Sequence, residues 1–193
     1  KEYFSNYSKG NIIGEIDPEY MYFDYVPERI YNNFGKDLKF IFILRNPADR
    51  AFSHYKMSLK RGHEELSFSD ALLAEPQRIN SNSQYSRLYL NSKNKFSYID
   101  RGFYSKQINQ YLKYFPKKNM HFIIFETELI GQIEKTMGGI YNFLGISPSK
   151  DVRLNIKSNF STKPKSLWIR DLLMNKNIIK SSLKRIFPKE IRK

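Results

Sequence analysis

Lys39-Phe-Ile-Phe-Ile-Leu-Arg45-Asn-Pro-Ala-Asp-Arg50-Ala-Phe-Ser53-His-Tyr55 constrains this chain more than any other stretch. The apolar run from Phe40 to Leu44 does not alternate, which is the pattern of a strand buried on both faces in a parallel sheet. It stops abruptly on Arg45. Asn46 is suited to cap a helix, and Pro47 to fill its first turn, where a missing N–H costs nothing. The predicted unit is strand–turn–helix, with a guanidinium at the carboxyl end of the strand, where open α/β sheets bind ligands. Ser53 falls two turns into the helix, on a side able to face Arg45. An arginine fork and a hydroxyl beside a helix start make a phosphate site. The same residues also suit an ordinary βα turn with a solvated arginine and a core-facing serine, and the spacing alone leaves both open.

The flanking pattern extends this unit. Ile12 to Ile16 reads as a short strand, Asp17-Pro-Glu19 as a loop, and Pro27 to Phe34 as a short helix broken at Gly35. The helix opened by Pro47 is expected to run to Arg61 and stop at Gly62. Ser67, with Asp70 three residues on, caps the next helix. Asn80 to Tyr98 is rich in Asn, Ser, Tyr and Lys without a period and reads as a substrate loop or a disordered segment. Arg101 to Tyr114 has helical spacing, and Met120 to Glu126 is a second buried strand. A helix follows from Glu128 to Leu144, interrupted at Gly138-Gly139 and stopped by Gly145. Two basic amphipathic helices, from Ser166 to Met174 and from Ile178 to Phe187, close the chain; Trp168, Ile169, Leu172 and Leu173 dock the first on the core. Strands alternating with helices predict an α/β fold, a parallel sheet with helices on both faces.

With 193 residues the chain makes one domain, residues 1–193, with residues 165–193 forming basic helices packed on it. There is no cysteine, so disulfides, thiolate nucleophiles and Cys-based zinc sites are excluded. His54, His63 and His121 lack metal-ligand spacing; His54 reads as a packing or an exposed helix residue, His63 as solvent-facing and His121 as the start of a strand, and no metal is expected. No apolar run approaches a membrane span, and for a bacterial source the cytoplasm is the expected compartment. The net charge is +14, and the segment from Lys163 to Lys193 carries ten Lys or Arg against Asp171 and Glu190. Such a surface favours a phosphorylated nucleotide, an acidic glycan, nucleic acid or anionic lipid, although codon usage in an AT-rich genome also enriches lysine. No nucleic-acid-binding motif accompanies the charge, so nucleic acid is the less expected partner.

Arg45-Asn-Pro-x-x-Arg50-x-x-Ser53 after an apolar strand resembles the 3′-phosphate-binding motif of sulfotransferases that use 3′-phosphoadenosine 5′-phosphosulfate (PAPS). Other segments resemble the carbohydrate branch of that family in order and spacing. They are Gly14-Glu-Ile-Asp-Pro-Glu-Tyr20, the helix Phe68 to Ile79 with Glu75 and Arg78, Arg101-Gly-Phe-Tyr104 through Pro116, and Ile123-Ile-Phe-Glu126 with Leu129. Asn159-x-Ser161 with Lys163 and Lys165 sits where the family closes a loop over the nucleotide. The resemblance runs from about Tyr3 to the C-terminus and is to bacterial relatives of the heparan sulfate and deacetylase-type enzymes. It implies a P-loop NTPase-like fold, PAPS as co-substrate, adenosine 3′,5′-bisphosphate as product, and a hydroxyl or amine of a carbohydrate as acceptor. Arg45, Ser53, Lys163 and Lys165 would then bind the nucleotide.

Two departures qualify the resemblance. The family's Gly-rich, Lys-containing phosphosulfate loop after its first strand has no counterpart here. The expectation is therefore an N-terminally incomplete domain that lacks its first strand and is inactive alone, the other reading being a remnant without catalytic power. A central sheet edge would then stand unpaired. Ile16 also replaces a lysine that relatives often place near the reacting centre. Glu15 and Asp17, paired carboxylates beside a predicted strand end, are the candidates for acceptor contact or base. Equally, Asp17 can cap the turn before Pro18 while Glu15 pairs with a cation. Arg50 is expected to brace its helix against a carboxylate, and Tyr55 and Tyr104 to pack. The alternative from another class is a non-catalytic basic binding module for anionic glycan or nucleic acid.

Overall fold

The computed structural model describes residues 12–80 and 87–148. Helix α1 (Val26–Phe34) leads into strand β1 (Phe40–Leu44), followed by α2 (Pro47–Lys60), α3 (Phe68–Ile79), α4 (Arg87–Phe96) and α5 (Tyr104–Leu112). Strand β2 (Met120–Ile124) and α6 (Ile133–Leu144) complete the described fold. The strands pair in parallel, with Phe40 opposite Met120 and Leu44 opposite Ile124. Their carboxyl ends therefore share one edge of the sheet, the geometry that a crossover through intervening helices imposes.

One sheet face is closed by aromatic packing. Phe42, Tyr111, Phe115 and Met120 form the core there, with Phe40 against the Phe115 ring at 4.5 Å and Phe42 stacked on Phe122 at 5.4 Å. On the other face α6 lies over β2, with Phe143 stacked on His121. The expectation that β1 is buried on both faces holds only for one, because Ile41 and Ile43 stay 37% and 53% exposed. No described element covers them. A second core joins α2 to α3 through Ala51, Tyr55, Ala71 and Tyr98.

Sequence signals at the helix ends hold. Asn46 caps α2, its side chain accepting from Ala48 N–H (2.9 Å) and Asp49 N–H (3.3 Å), and Pro47 opens the helix. Ser67 accepts from Asp70 N–H at 3.2 Å, and Gly145 ends α6 in the left-handed region at φ 76°. Lys39 reaches the last turn of α6, with Nζ 2.6 Å from the Phe143 carbonyl and 3.0 Å from that of Leu144. A cation at the negative end of that helix satisfies carbonyls that have no intrahelical partner.

Several expectations are corrected. Residues 12–16 form no strand; no neighbouring strand among the described residues offers them a ladder, and Ile16 is 98% exposed. Part of the expected loop from Asn80 to Tyr98 is helix α4. Its last-turn carbonyls are taken by other elements: His54 Nε2 donates to Asn94 O (3.0 Å) and Ser58 Oγ to Lys95 O (2.8 Å). Tertiary capping, not its own polar pattern, holds that helix. Strand β2 ends at Ile124, where a wide π-type turn, Phe125–Ile130, replaces the expected start of α6. Gly138 and Gly139 do not interrupt α6; a Cβ on Gly139 would make an ordinary 3.8 Å contact with the His121 ring. The two C-terminal helices lie outside the described residues.

Candidate functional site

The shared carboxyl edge of β1 and β2 brings Arg45 and Glu126 together across a long stretch of sequence. Glu126 Oε1 lies 3.6 Å from Arg45 Nε and accepts the Asn46 N–H at 3.1 Å. Both side chains are 36% exposed, so the pair is open to solvent at one side. The Arg45 guanidinium stands over the Phe125 ring at 5.3 Å, a cation–π distance. Arg45 Nε is buried without a hydrogen bond, and no described residue takes the two terminal nitrogens. The result is a guanidinium propped on one face, approached from its Nε side, with a donor edge that no described residue occupies. That edge is the part of an arginine that forks onto a phosphate or carboxylate.

The turn behind Arg45 is braced from a third direction. Tyr104 donates its hydroxyl to the Arg45 carbonyl (2.9 Å). Gly102 lies so close to the turn that a Cβ there would meet Pro47 Cβ at 3.2 Å. Arg101, in the same motif, is committed elsewhere: its guanidinium bonds Glu19 at 2.5 Å, bonds Ser97 Oγ at 3.1 Å and stacks 4.4 Å over Tyr22. Arg50 also braces, but against a carbonyl and not the expected carboxylate, donating to Tyr98 O. The nearby acids are used by other donors, Glu75 taking the N–H groups of Ile99 (2.6 Å) and Asp100 (2.8 Å).

Ser53 sits on an exposed face of α2, its hydroxyl bonded to no described residue. Glu15 accepts from the Tyr20 hydroxyl at 3.0 Å, a bond that pushes the phenol upward, and Asp17 accepts from Glu19 N–H at 2.7 Å. Asp17 is thus engaged as a turn cap, and Glu15 remains exposed. Lys163 and Lys165 lie outside the described residues. His54 is buried; burial first, then the Arg101 and Arg50 charges, lowers its pKa to about 4. Among the described residues no group of acids and histidines is placed to hold a metal ion, and no helix is long and apolar enough to cross a membrane. Sequence reasoning missed Glu126 as the partner of Arg45. The signal was available: an acid just past one parallel strand shares an edge with a cation just past another.

Comparison with known proteins places these features in context. The family model described as the sulfotransferase domain matches residues 23–192. Heparan sulfate glucosamine 3-O-sulfotransferase 5 of Mus musculus is 27% identical over 137 residues, which cover 69% of this chain and 36% of that protein. Heparan sulfate glucosamine 3-O-sulfotransferase 3B1 of Homo sapiens is 28% identical, covering 71% of this chain and 32% of that protein. The chain spans about a third of the length of these curated relatives. Among solved structures, a sulfotransferase from Alicyclobacillus acidocaldarius superimposes with a TM-score of 0.58 at 28% identity, over 73% of this chain and 53% of that one.

Proposed function

This chain belongs to the sulfotransferase family, and from that premise we propose that it holds the 3′-phosphate of PAPS at Arg45, as the nucleotide-binding part of a carbohydrate sulfotransferase. The observation that carries the reading is the spare donor edge of Arg45 at the carboxyl end of β1, backed by Phe125. A phosphate dianion suits that edge: it accepts two parallel N–H bonds and neutralises a half-exposed cation. The exposed Ser53 hydroxyl on α2, the helix that follows Arg45, is proposed to supply a further donor. Lys163 and Lys165 are proposed to add charge on the nucleotide.

When bound, PAPS supplies the sulfuryl group; the residues of this chain bind and orient its nucleotide. Asn46 keeps the first N–H groups of α2 occupied, so the guanidinium, not the helix start, is the anion's main partner. Glu15, the more exposed of the two carboxylates, is proposed to face an acceptor hydroxyl or amine through the oxygen that Tyr20 leaves free, while Asp17 is engaged by its turn. The acceptor is proposed to be a carbohydrate, by similarity to relatives named for heparan sulfate glucosamine.

The test is thermal stabilisation by adenosine 3′,5′-bisphosphate against 5′-AMP, with Arg45→Ala as control, because a ligand that binds the folded state must stabilise it. Bisphosphate at about a hundred times its Kd is expected to add about 2.7 kcal/mol. A preference for the bisphosphate that disappears in Arg45→Ala supports the reading. Equal shifts with both nucleotides would sink it and leave a basic binding domain.

A further inference from the structure

We infer that Glu126 is a positioning residue for Arg45, a carboxylate that aims the guanidinium's free edge at an incoming 3′-phosphate. The inference rests on the nucleotide reading of the Arg45 site and adds to it the group that gives the arginine its direction.

The argument begins with magnitudes. A half-exposed ion pair at 3.6 Å contributes about 0–1 kcal/mol to stability. Stability therefore gives little reason for an acid at this place. Its geometry does. Glu126 Oε1 faces Arg45 Nε and also accepts Asn46 N–H, so one oxygen addresses the side chain and the backbone of the same turn. Arg45 Nε has no hydrogen-bond partner and is shielded from solvent. Without Glu126 nothing among the described residues would favour that nitrogen pointing inward, and the terminal nitrogens would lose their fixed aim. Flexible arginines lose rotamer entropy on binding; an arginine already held loses less.

The segment carrying Glu126 is itself built. The π-type turn Phe125–Ile130 is an uncommon geometry, frequent at functional sites. Glu128 starts it by accepting Ile124 N–H at 2.6 Å, and Thr136 Oγ1 anchors it to α6 by donating to Glu128 O at 2.8 Å. Gly131 closes it: a Cβ there would lie 2.7 Å from the Thr127 carbonyl oxygen, so only glycine fits without displacement. This turn sets Phe125 under the guanidinium and Glu126 beside it. Two consecutive side chains thus address two sides of one cation.

The test is a double-mutant cycle read as selectivity, the ratio of 5′-AMP Kd to adenosine 3′,5′-bisphosphate Kd, measured by calorimetry on the whole chain. In Glu126→Ala the ratio is expected to fall about tenfold, the size of one charge-assisted contact losing its aim. The affinity for 5′-AMP and the melting temperature should stay near wild type. Glu126→Gln keeps the acceptor for Asn46 N–H but removes the charge facing Arg45 Nε, and the ratio should fall by about threefold. In an Arg45→Ala background, Glu126→Ala should change the ratio no further, as expected of residues acting as one unit. An unchanged ratio in Glu126→Ala overturns the inference, as does an equal fall with and without Arg45. A wild-type chain that does not prefer the bisphosphate overturns the nucleotide reading, and the inference with it. Should Glu126→Ala fail to fold, the Gln variant carries the test: a fall of about threefold that vanishes in the Arg45→Ala background supports the inference, and an unchanged ratio overturns it.

Discussion

Charge is arranged in two opposite ways in this molecule. Around Tyr98, every acid is saturated. Glu64, buried, takes Arg78 at 2.6 Å, the Tyr98 hydroxyl at 2.8 Å and the N–H groups of Glu65 and Leu66 at 3.0 Å each. Burial pushes its carboxyl up, yet Arg78 and these hydrogen bonds together hold it below the usual range. At the carboxyl edge of the sheet, by contrast, Arg45 has, among the described residues, one long ion pair, one aromatic face and donors that none of them takes. Saturation marks groups that hold the fold; the unfilled capacity of a braced arginine is what supports the nucleotide role proposed for Arg45.

Breaking the saturated region should cost most. Glu64→Ala orphans Arg78, the Tyr98 hydroxyl and two backbone donors, and is expected to destabilise by about 3–5 kcal/mol. Urea unfolding measures this, and a loss below about 1 kcal/mol would contradict the contrast, since that is what an exposed pair gives. Acid should act next. His54 is held neutral in the fold, with a pKa of about 4 against 6.5 for a free histidine. Stability present above pH 6.5 is therefore lost as pH falls toward 4, by up to roughly 3 kcal/mol. His54→Gln should flatten that slope. Glu75, raised by burial, works in the opposite direction, so the comparison is the variant's slope with the wild type's.

The turn region should respond in binding more than in stability. Tyr104→Phe removes one hydrogen bond to the Arg45 carbonyl, about 1 kcal/mol, and should weaken bisphosphate binding severalfold while leaving 5′-AMP binding intact. Gly102→Ala should have the smallest effect. Its Cβ must push Pro47 by a few tenths of an ångström, shifting selectivity by about threefold with under 1 kcal/mol in stability. Equal losses for both nucleotides in either variant would show that the turn supports the fold and not the anion.

What could be read from the sequence was local. β1, Asn46, Ser67, Gly62 and Gly145 announced themselves because capping and strand burial are decided by a few adjacent residues. The same short string nominated Arg45 and Ser53 as the nucleotide-binding candidates. Helix α4 did not, because its carbonyls are satisfied by His54 and Ser58 from another element. Residues 12–16 have strand composition, but a strand needs a neighbour. The bracing of Arg45 by Glu126 and Tyr104 is long-range, and only the parallel register of β1 with β2 brings the two strand ends together.

That register also fixes when the site can exist. Phe40 cannot pair with Met120 until α2, α3, α4 and α5 have found a compact path between them, and closing so long a loop is a slow, non-local event. Local helices can form early, whereas Arg45 meets Glu126 only after the crossover is complete. In a refolding experiment, recovery of bisphosphate binding should lag the recovery of helical circular dichroism. Competence for the nucleotide would then serve as a clock for the final step of folding, a check that a chain cannot pass while its sheet is still open.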